Sequence, residues 1–522
     1  MFVPLTPLRF LHRAMDVFGH HTGIVSGDQS FTYAEFGERC QRLAAALTNL
    51  GIQPGDRVAY VSFNNHQLME GYYGVIQARA IVMPLNVRLS PQEMAGILDH
   101  AGTRMVIYEN DFAALVAALK ISCSSVQHWI SIEDDYEALL AAATPQRADI
   151  FAYDELSIAE LFYTSGSTGT PKGVMLSHRT LYMHALDIVT GFHELDRMVD
   201  LHTIPLFHAN GWGRPQMSTM LGKKQIMVRR FEPSHVFRLI AQHSATHMCL
   251  VPTMANALLN HPELGQHDLS SLRQIMLGGA AASPELVERM EAAFHCIVCA
   301  GYGMTETAPV LTTSSAKPGI TYASESERYR RQAMAGWAVP GVEVRVVDVN
   351  LEDVPRDMHS IGEIIARGDH IMDGYYREPE QTANVMSGAW IHTGDMAVWD
   401  EEGYLHIVDR KKEIIISGGE NISSIEIEKA IFAHASVLEC AVVAAPDEKW
   451  GEVPAAVVVR KPSAELTEDE LLAFLRERLG KFKLPRVIRF SEDALPKTGT
   501  GKIRKNVIRE TFWSGKAKRV QG

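Results

Sequence analysis

A chain of 522 residues is long for one hydrophobic core and predicts at least two domains. Its net charge of −12 opposes a nucleic-acid binder, whose phosphate contacts call for a basic excess. No run approaches the roughly 18 apolar residues of a membrane helix, and Pro4 and Pro7 stand where a signal peptide carries a basic and then an apolar region, so a cytoplasmic protein is expected.

Strand and helix patterns alternate from the start. Residues 58–63 form an apolar strand candidate. Across 66–79, Leu68, Met69, Tyr72, Tyr73, Val75 and Ile76 recur at helical spacing. Residues 80–85 read as a strand, 91–100 as a helix and 105–108 as a strand. This alternation predicts layered α/β structure with largely buried strands, continuing to about residue 345. From there to about residue 410, short strands such as 342–346 and 362–366, parted by glycine and acidic turns, predict a small β-rich subdomain. After Asp409 a further unit of about one hundred residues is expected. There, Ser423 with Glu426 predicts a capping box opening a helix through His434. Residues 439–445 and 455–460 read as strands, and Thr467 with Glu470 caps a second helix ending near Gly480.

The six cysteines are scattered, which opposes a disulfide framework. Cys296 and Cys299 make a C-x-x-C without a second pair at zinc spacing, and read as two core thiols of a buried strand.

Thr164-Ser165-Gly166-Ser167-Thr168-Gly169-Thr170-Pro171-Lys172-Gly173 lies between two apolar stretches, 158–163 and 174–176. Glycines let the backbone turn its N–H groups inward, and hydroxyls and a lysine add donors, so the segment can surround phosphate oxygens. No Walker A register and no G-x-G-x-x-G fits. A flexible Ser/Gly linker is the alternative, but a linker has no need of the Pro-Lys-Gly ending or of flanking strands.

This loop resembles the signature of the adenylate-forming superfamily of acyl-CoA synthetases, adenylation domains and luciferases, and further family motifs follow in order over nearly the whole chain. The fold implied is α/β: a large N-terminal domain of layered α/β subdomains plus a small β-rich subdomain, residues 1–408, followed by a mobile α+β C-terminal domain, residues 409–522. The resemblance assigns Thr164, Ser165, Gly166, Ser167, Thr168, Gly169 and Lys172 to ATP. Gly301-Tyr302-Gly303-Met304-Thr305-Glu306 resembles the nucleotide motif, with Tyr302 stacking on adenine, Thr305 at the α-phosphate, and Glu306 with Thr164 at magnesium. Gly278-Gly279-Ala280 resembles the strip lining the adenine pocket.

His392-Thr393-Gly394-Asp395 resembles the ribose motif, with Asp395 accepting from the ribose hydroxyls and Arg410 as the second contact. Asp409 resembles the hinge residue. Ser417, Gly418 and Gly419 resemble the loop lining the pantetheine tunnel, and Trp450 the CoA surface. Pro496-Lys497-Thr498-Gly499-Thr500-Gly501-Lys502 resembles the C-terminal catalytic motif. A carboxylate attacking the α-phosphate builds negative charge that Lys502 would stabilise, worth on the order of 3 kcal/mol. Lys497, Arg504 and Lys505 read as surface charges.

On the substrate side, Pro205-Leu206-Phe207-His208-Ala209-Asn210-Gly211-Trp212 resembles the motif that places a histidine, here His208, beside the carboxylate. Trp212 falls where related enzymes have an aromatic gate, with an ordinary core tryptophan as the alternative, and Gly279 joins it at the acyl pocket. No acidic residue is present to hold an α-amine. Apolar Pro215, Met217, Met220 and Leu221 fit an uncharged chain.

An acyl-CoA synthetase is thus implied, using ATP, Mg2+ and coenzyme A. A medium-chain fatty acid ranks ahead of short branched and aryl acids. A homodimer is the expected assembly. The rivals are an enzyme loading a carrier protein, a luciferase-type oxygenase, and a binding protein that keeps the fold without the chemistry.

Overall fold

The computed structural model describes residues 2–164, 171–192, 199–417, 420–447, 449–462, 464–497 and 503–513. Contacts divide the chain into two compact units. The first comprises residues 1–344, 365–392 and 402–405, the second residues 345–364, 393–401 and 406–522.

Two sheets organise the first unit. The larger has nine strands in the order Trp337–Ala338, Val310–Thr313, Ile297–Gly303, Gln274–Leu277, His247–Leu250, Val199–His202, Lys224–Met227, Thr22–Ser26 and Gln29–Thr32. Its six central strands are parallel and its ends antiparallel. The second has seven, in the order Gly374–Tyr375, Lys172–Ser177, Ile158–Thr164, Ile81–Pro84, Arg57–Val61, Met105–Tyr108 and His128–Ser131. Buried parallel strands need apolar side chains on both faces. Val58, Ala59, Tyr60 and Val61 supply them, all fully buried. Helix His66–Gln77 is buried along nearly its whole length, and its N-terminus is closed by the Asn65 side chain, which accepts from Leu68 N–H. The α/β alternation of the sequence is thus realised, with helix Pro91–Ala101 and strand Met105–Tyr108 where the pattern placed them.

A five-stranded sheet contains Val342–Val347, Gly362–Gly368, Trp390–Trp399, Met386–Ser387 and Leu405–Arg410. The boundaries between the units fall within or beside its strands. Within the second unit, Gly451–Arg460 pairs with Val437–Asp447, Ile415–Ser417 and, in parallel, Val487–Ser491. Helices Ser424–Phe432, Glu468–Arg476 and Lys505–Trp513 accompany this sheet. Both Thr467 and Glu470 close a reciprocal capping box as expected. Ser423 caps only one way, because the Glu426 carboxylate turns instead to Lys483 Nζ at 2.7 Å. The second helix ends at Arg476, short of Gly480. Among the described residues, no helix is long and apolar enough to cross a membrane.

Two expectations are corrected. Cys296 lies just before strand Ile297–Gly303 rather than inside it, and is half-buried beside an exposed Ile297; Cys299 is the core thiol. Lys505 is not a surface charge. Its ammonium is buried among carboxylates, as described below.

Candidate active site

In the first unit, strands Ile158–Thr164 and Lys172–Ser177 form an antiparallel hairpin in which Thr164 pairs with Lys172. The candidate phosphate loop therefore connects the two strands of this hairpin in sequence. Its Ser165, Gly166, Ser167, Thr168 and Gly169 lie outside the described residues. The hairpin's outer edge carries Gly374–Tyr375. Lys172 Nζ stands 4.8 Å from the centroid of the Tyr375 ring, and Tyr375 Oη donates to Glu306 Oε1 at 2.8 Å. Burial, and then the Glu306 carboxylate, push the Tyr375 phenol upward, so it stays a donor. The contacts from Lys172 through Tyr375 join the base of the candidate phosphate loop to Glu306, the acid of the candidate nucleotide motif. Tyr375 carried no sequence signal beyond an aromatic after glycine.

Thr305 and Glu306 occupy a single helical turn, Thr305–Thr307, that follows strand Ile297–Gly303, and both are buried. Met372 N–H donates to the Glu306 carbonyl at 2.9 Å. Tyr302 is half-buried and Gly301 packs near Met276 and Phe192. At the end of the adjacent parallel strand, Gln274–Leu277, Gly278 is buried while Gly279 and Ala280 are exposed.

Trp212 connects this strip to the substrate-side motif. It is 6% exposed and packs with Phe10, Phe192, Met217, Met220 and Met276. A Cβ at Gly278 would fall 2.9 Å from its ring, and one at Gly279 would fall 3.6 Å away. The tryptophan is thus a buried residue whose ring lies against the Gly278-Gly279 backbone. His208, four residues before Trp212, is exposed. Residues Ala209 to Gly213 all have φ between 45° and 71°, five consecutive left-handed residues. Such backbone costs roughly 1–2 kcal/mol per non-glycine residue, so the packing of Trp212 and Asn210 must hold it.

The second unit carries the ribose and hinge candidates. Asp395 is buried and accepts from Arg410 Nε at 2.7 Å, while the Arg410 guanidinium stays half exposed. Lys411 Nζ pairs with Glu363 Oε2 at 2.8 Å, and Lys411 N–H donates to the Gly394 carbonyl. Asp409 is fully buried. One oxygen accepts from Arg410 N–H and the other from Ser424 and Ile425 N–H, at the start of helix Ser424–Phe432. A carboxylate is favoured at that helix end. Lys505 completes the cluster. Its Nζ lies 2.8 Å from Glu428, 3.4 Å from Glu413 and 2.8 Å from Ser424 Oγ. Burial pulls its pKa down, but Glu428, Glu413 and Asp409 outweigh this and hold it above the ordinary lysine value. Burial likewise raises Asp409 and Glu428 despite Lys505.

Of the candidate coenzyme residues, Ser417 pairs with Gly451 across neighbouring strands, next to Trp450. The Trp450 ring is partly exposed, with Lys449 Nζ at 4.8 Å and Arg486 Cζ at 5.7 Å from its centroid. Gly418, Gly419 and Lys502 lie outside the described residues.

Known proteins match nearly the whole chain. Residues 11–376 match the AMP-binding enzyme family and residues 426–502 the AMP-binding enzyme C-terminal domain. A long-chain-fatty-acid–CoA ligase of Thermus thermophilus is 38% identical, covering 96% of this chain and 95% of its own. The 2-methylpropanoate–CoA ligase CCL4 of Humulus lupulus is 34% identical, covering 97% and 95%. ATP-bound MatB from Rhodopseudomonas palustris superposes with a TM-score of 0.85 at 29% identity, covering 97% and 99%. The chain belongs to the AMP-binding enzyme family, as an AMP-forming acid–CoA ligase of the acyl-CoA synthetase branch of the adenylate-forming superfamily.

Proposed function

We propose that the chain activates a medium-chain fatty acid as its acyl-adenylate and transfers the acyl group to coenzyme A. The observation that carries the choice of acid is the cluster of Trp212, Met217 and Met220, in which the Trp212 ring lies against Gly278 and Gly279. It is apolar, and its methionines adapt to varied chain shapes. Two of the relatives are named for a long-chain acid and for 2-methylpropanoate, which bracket that length.

In the first half-reaction a carboxylate oxygen attacks the α-phosphorus and the bond to pyrophosphate breaks. His208 lies beside the carboxylate, Thr305 donates to the α-phosphate and Lys502 stabilises the developing charge. Asp395 and Arg410 hold the ribose, and Tyr302 with Gly279 and Ala280 holds the adenine. In the second, the coenzyme A thiol gives its proton to solvent, its sulfur attacks the acyl carbon, and the acyl C–O bond breaks to release AMP. Ser417, Gly418, Gly419 and Trp450 serve that step.

The residues fit a magnesium ion. Glu306 and Thr164 offer hard oxygen ligands, and magnesium usually takes one or two carboxylates with substrate phosphates. When bound it neutralises phosphate charge. A division at Asp409 into domains 1–408 and 409–522, a homodimer and a cytoplasmic location complete the reading.

The test is AMP release from Mg-ATP, with and without coenzyme A, across acids from acetate to palmitate and several aryl acids. A coenzyme A-dependent maximum at medium chain length is expected. A maximum at either end overturns the choice of acid. Pyrophosphate release indifferent to coenzyme A overturns the acceptor.

A further inference from the structure

Glu160 is the one carboxylate on the strand that runs into the phosphate loop, Ile158–Thr164, and it is completely buried. Among the described residues, no cation is paired with it. Its Oε1 accepts from Gln216 Nε2 at 2.9 Å, and the same Nε2 donates to Asn210 Oδ1 at 3.1 Å. Gln216 is 2% exposed and Asn210 is 1% exposed. Asn210 sits inside the left-handed turn that follows His208, and Gln216 on helix Arg214–Leu221 behind it. The chain of contacts therefore spans two motifs: the strand leading to Thr164 and the turn carrying His208 and Trp212.

Among the described residues, two oxygens of this hydrogen-bonded group, Glu160 Oε2 and Gln216 Oε1, are buried without a partner. Both are acceptors, and leaving either unpaired is costly. A single proton on the carboxyl supplies the donor that the acid–amide pair lacks. Burial drives Glu160 in that direction, well above the usual carboxylate range, with Gln216 the one opposing contact. The tyrosines packed nearby on helix His66–Gln77 keep their hydroxyls for backbone carbonyls, Tyr72 for Leu206 and Tyr73 for Pro215.

We propose that Glu160 is a positioning residue for adenylate formation: through Gln216 and Asn210 it holds the strained turn bearing His208 in register with the strand that leads into the phosphate loop. This rests on the placement of the acid at His208 and of phosphate at the loop that connects the hairpin strands. It assigns Glu160 a neutral, hydrogen-bonding role without contact to substrate. Glutamine should replace it and an apolar side chain of similar length should not.

The experiment compares the full-length chain with Glu160→Gln, Glu160→Met and Gln216→Met. Acid-dependent ATP–pyrophosphate exchange is measured with the best acid of the panel, at a temperature where circular dichroism shows each variant folded. Glu160→Gln is expected to stay within about threefold of wild type. Glu160→Met and Gln216→Met are expected to lose about tenfold or more in kcat with little change in the ATP KM, as misplacement of reacting groups does. A folded Glu160→Met at the wild-type rate, or a Glu160→Gln as impaired as Glu160→Met, overturns the proposal. If the methionine variants do not fold, infrared difference spectra at neutral pH decide. A protonated-carboxyl band present in wild type and absent in Glu160→Gln is expected, and its absence from wild type overturns the proposal. A wild-type chain inactive on every acid refutes the proposed reaction instead, leaving the infrared comparison intact.

Discussion

Gly303 admits no side chain. A Cβ there would fall 1.7 Å from the Pro309 carbonyl oxygen, which already accepts from Met304 N–H and Thr307 Oγ1. Gly303→Ala must push the turn that presents Thr305 and Glu306 away from strand Val310–Thr313. A melting-temperature drop with adenylate formation reduced by at least about a hundredfold is expected. A folded, fully active variant removes this turn from the site. Asp395 makes a different demand. Its partner Arg410 is half exposed, so Asp395→Asn should shift stability by less than about 1 kcal/mol. On the proposed ribose role, loss of the charged hydrogen bonds should instead weaken AMP binding by about 10- to 100-fold. Titration calorimetry with AMP separates the two effects, and unchanged affinity takes Asp395 out of the ribose role. Both residues fall in motifs that the sequence singled out, because short glycine and carboxylate runs carry their chemistry locally. Glu160 and Lys505 do not. Their partners lie 56 and 81 positions away for Gln216 and Ser424, and a lone charge in a sequence reads as surface.

Helix Lys505–Trp513 begins with the cation that answers Asp409, Glu428 and Glu413. Its first residue thereby fixes it to helix Ser424–Phe432, whose N-terminus Asp409 caps. Lys505→Met leaves buried carboxylates without their counter-charge, and a loss of about 3–5 kcal/mol from that unit is expected. The pH dependence has a definite sign. Asp409 and Glu428 already sit above their ordinary values, and losing Lys505 raises them further. A carboxyl raised in the folded state favours folding below its unfolded pKa, and that contribution is lost as pH rises through the folded value. The deficit of Lys505→Met should therefore be smallest in acid and grow toward neutral pH, as read by melting temperature. A deficit independent of pH contradicts the coupling. Helix positions themselves followed from periodicity and caps, as at Thr467 and Glu470. Helix ends followed less well, because Glu426 preferred Lys483 across the fold to its own cap.

The two compact units each have their own core: the clusters around Tyr72 and Phe237 belong to the first, and those around Ile427 and Trp513 to the second. The proposed division of labour makes Lys502, in the second, necessary for adenylate formation alone. Lys502→Ala should abolish pyrophosphate exchange yet spare thioester formation from supplied acyl-adenylate, followed by chromatography of the acyl-CoA. Equal loss of both steps refutes it. The reaction class, the α/β architecture and the order of motifs could be read without coordinates. Phosphate, ribose and adenine each demand a short run of particular residues, and strand and helix periods are local properties of the chain. The sequence was silent on which polar groups are buried together. The hydrogen bond from Gln216 to Glu160, the Tyr375 hydrogen bond to Glu306, and the Lys505 cluster behind Asp409 all join segments far apart in the chain. Their energetics depend on exclusion from water, which only the packed fold produces.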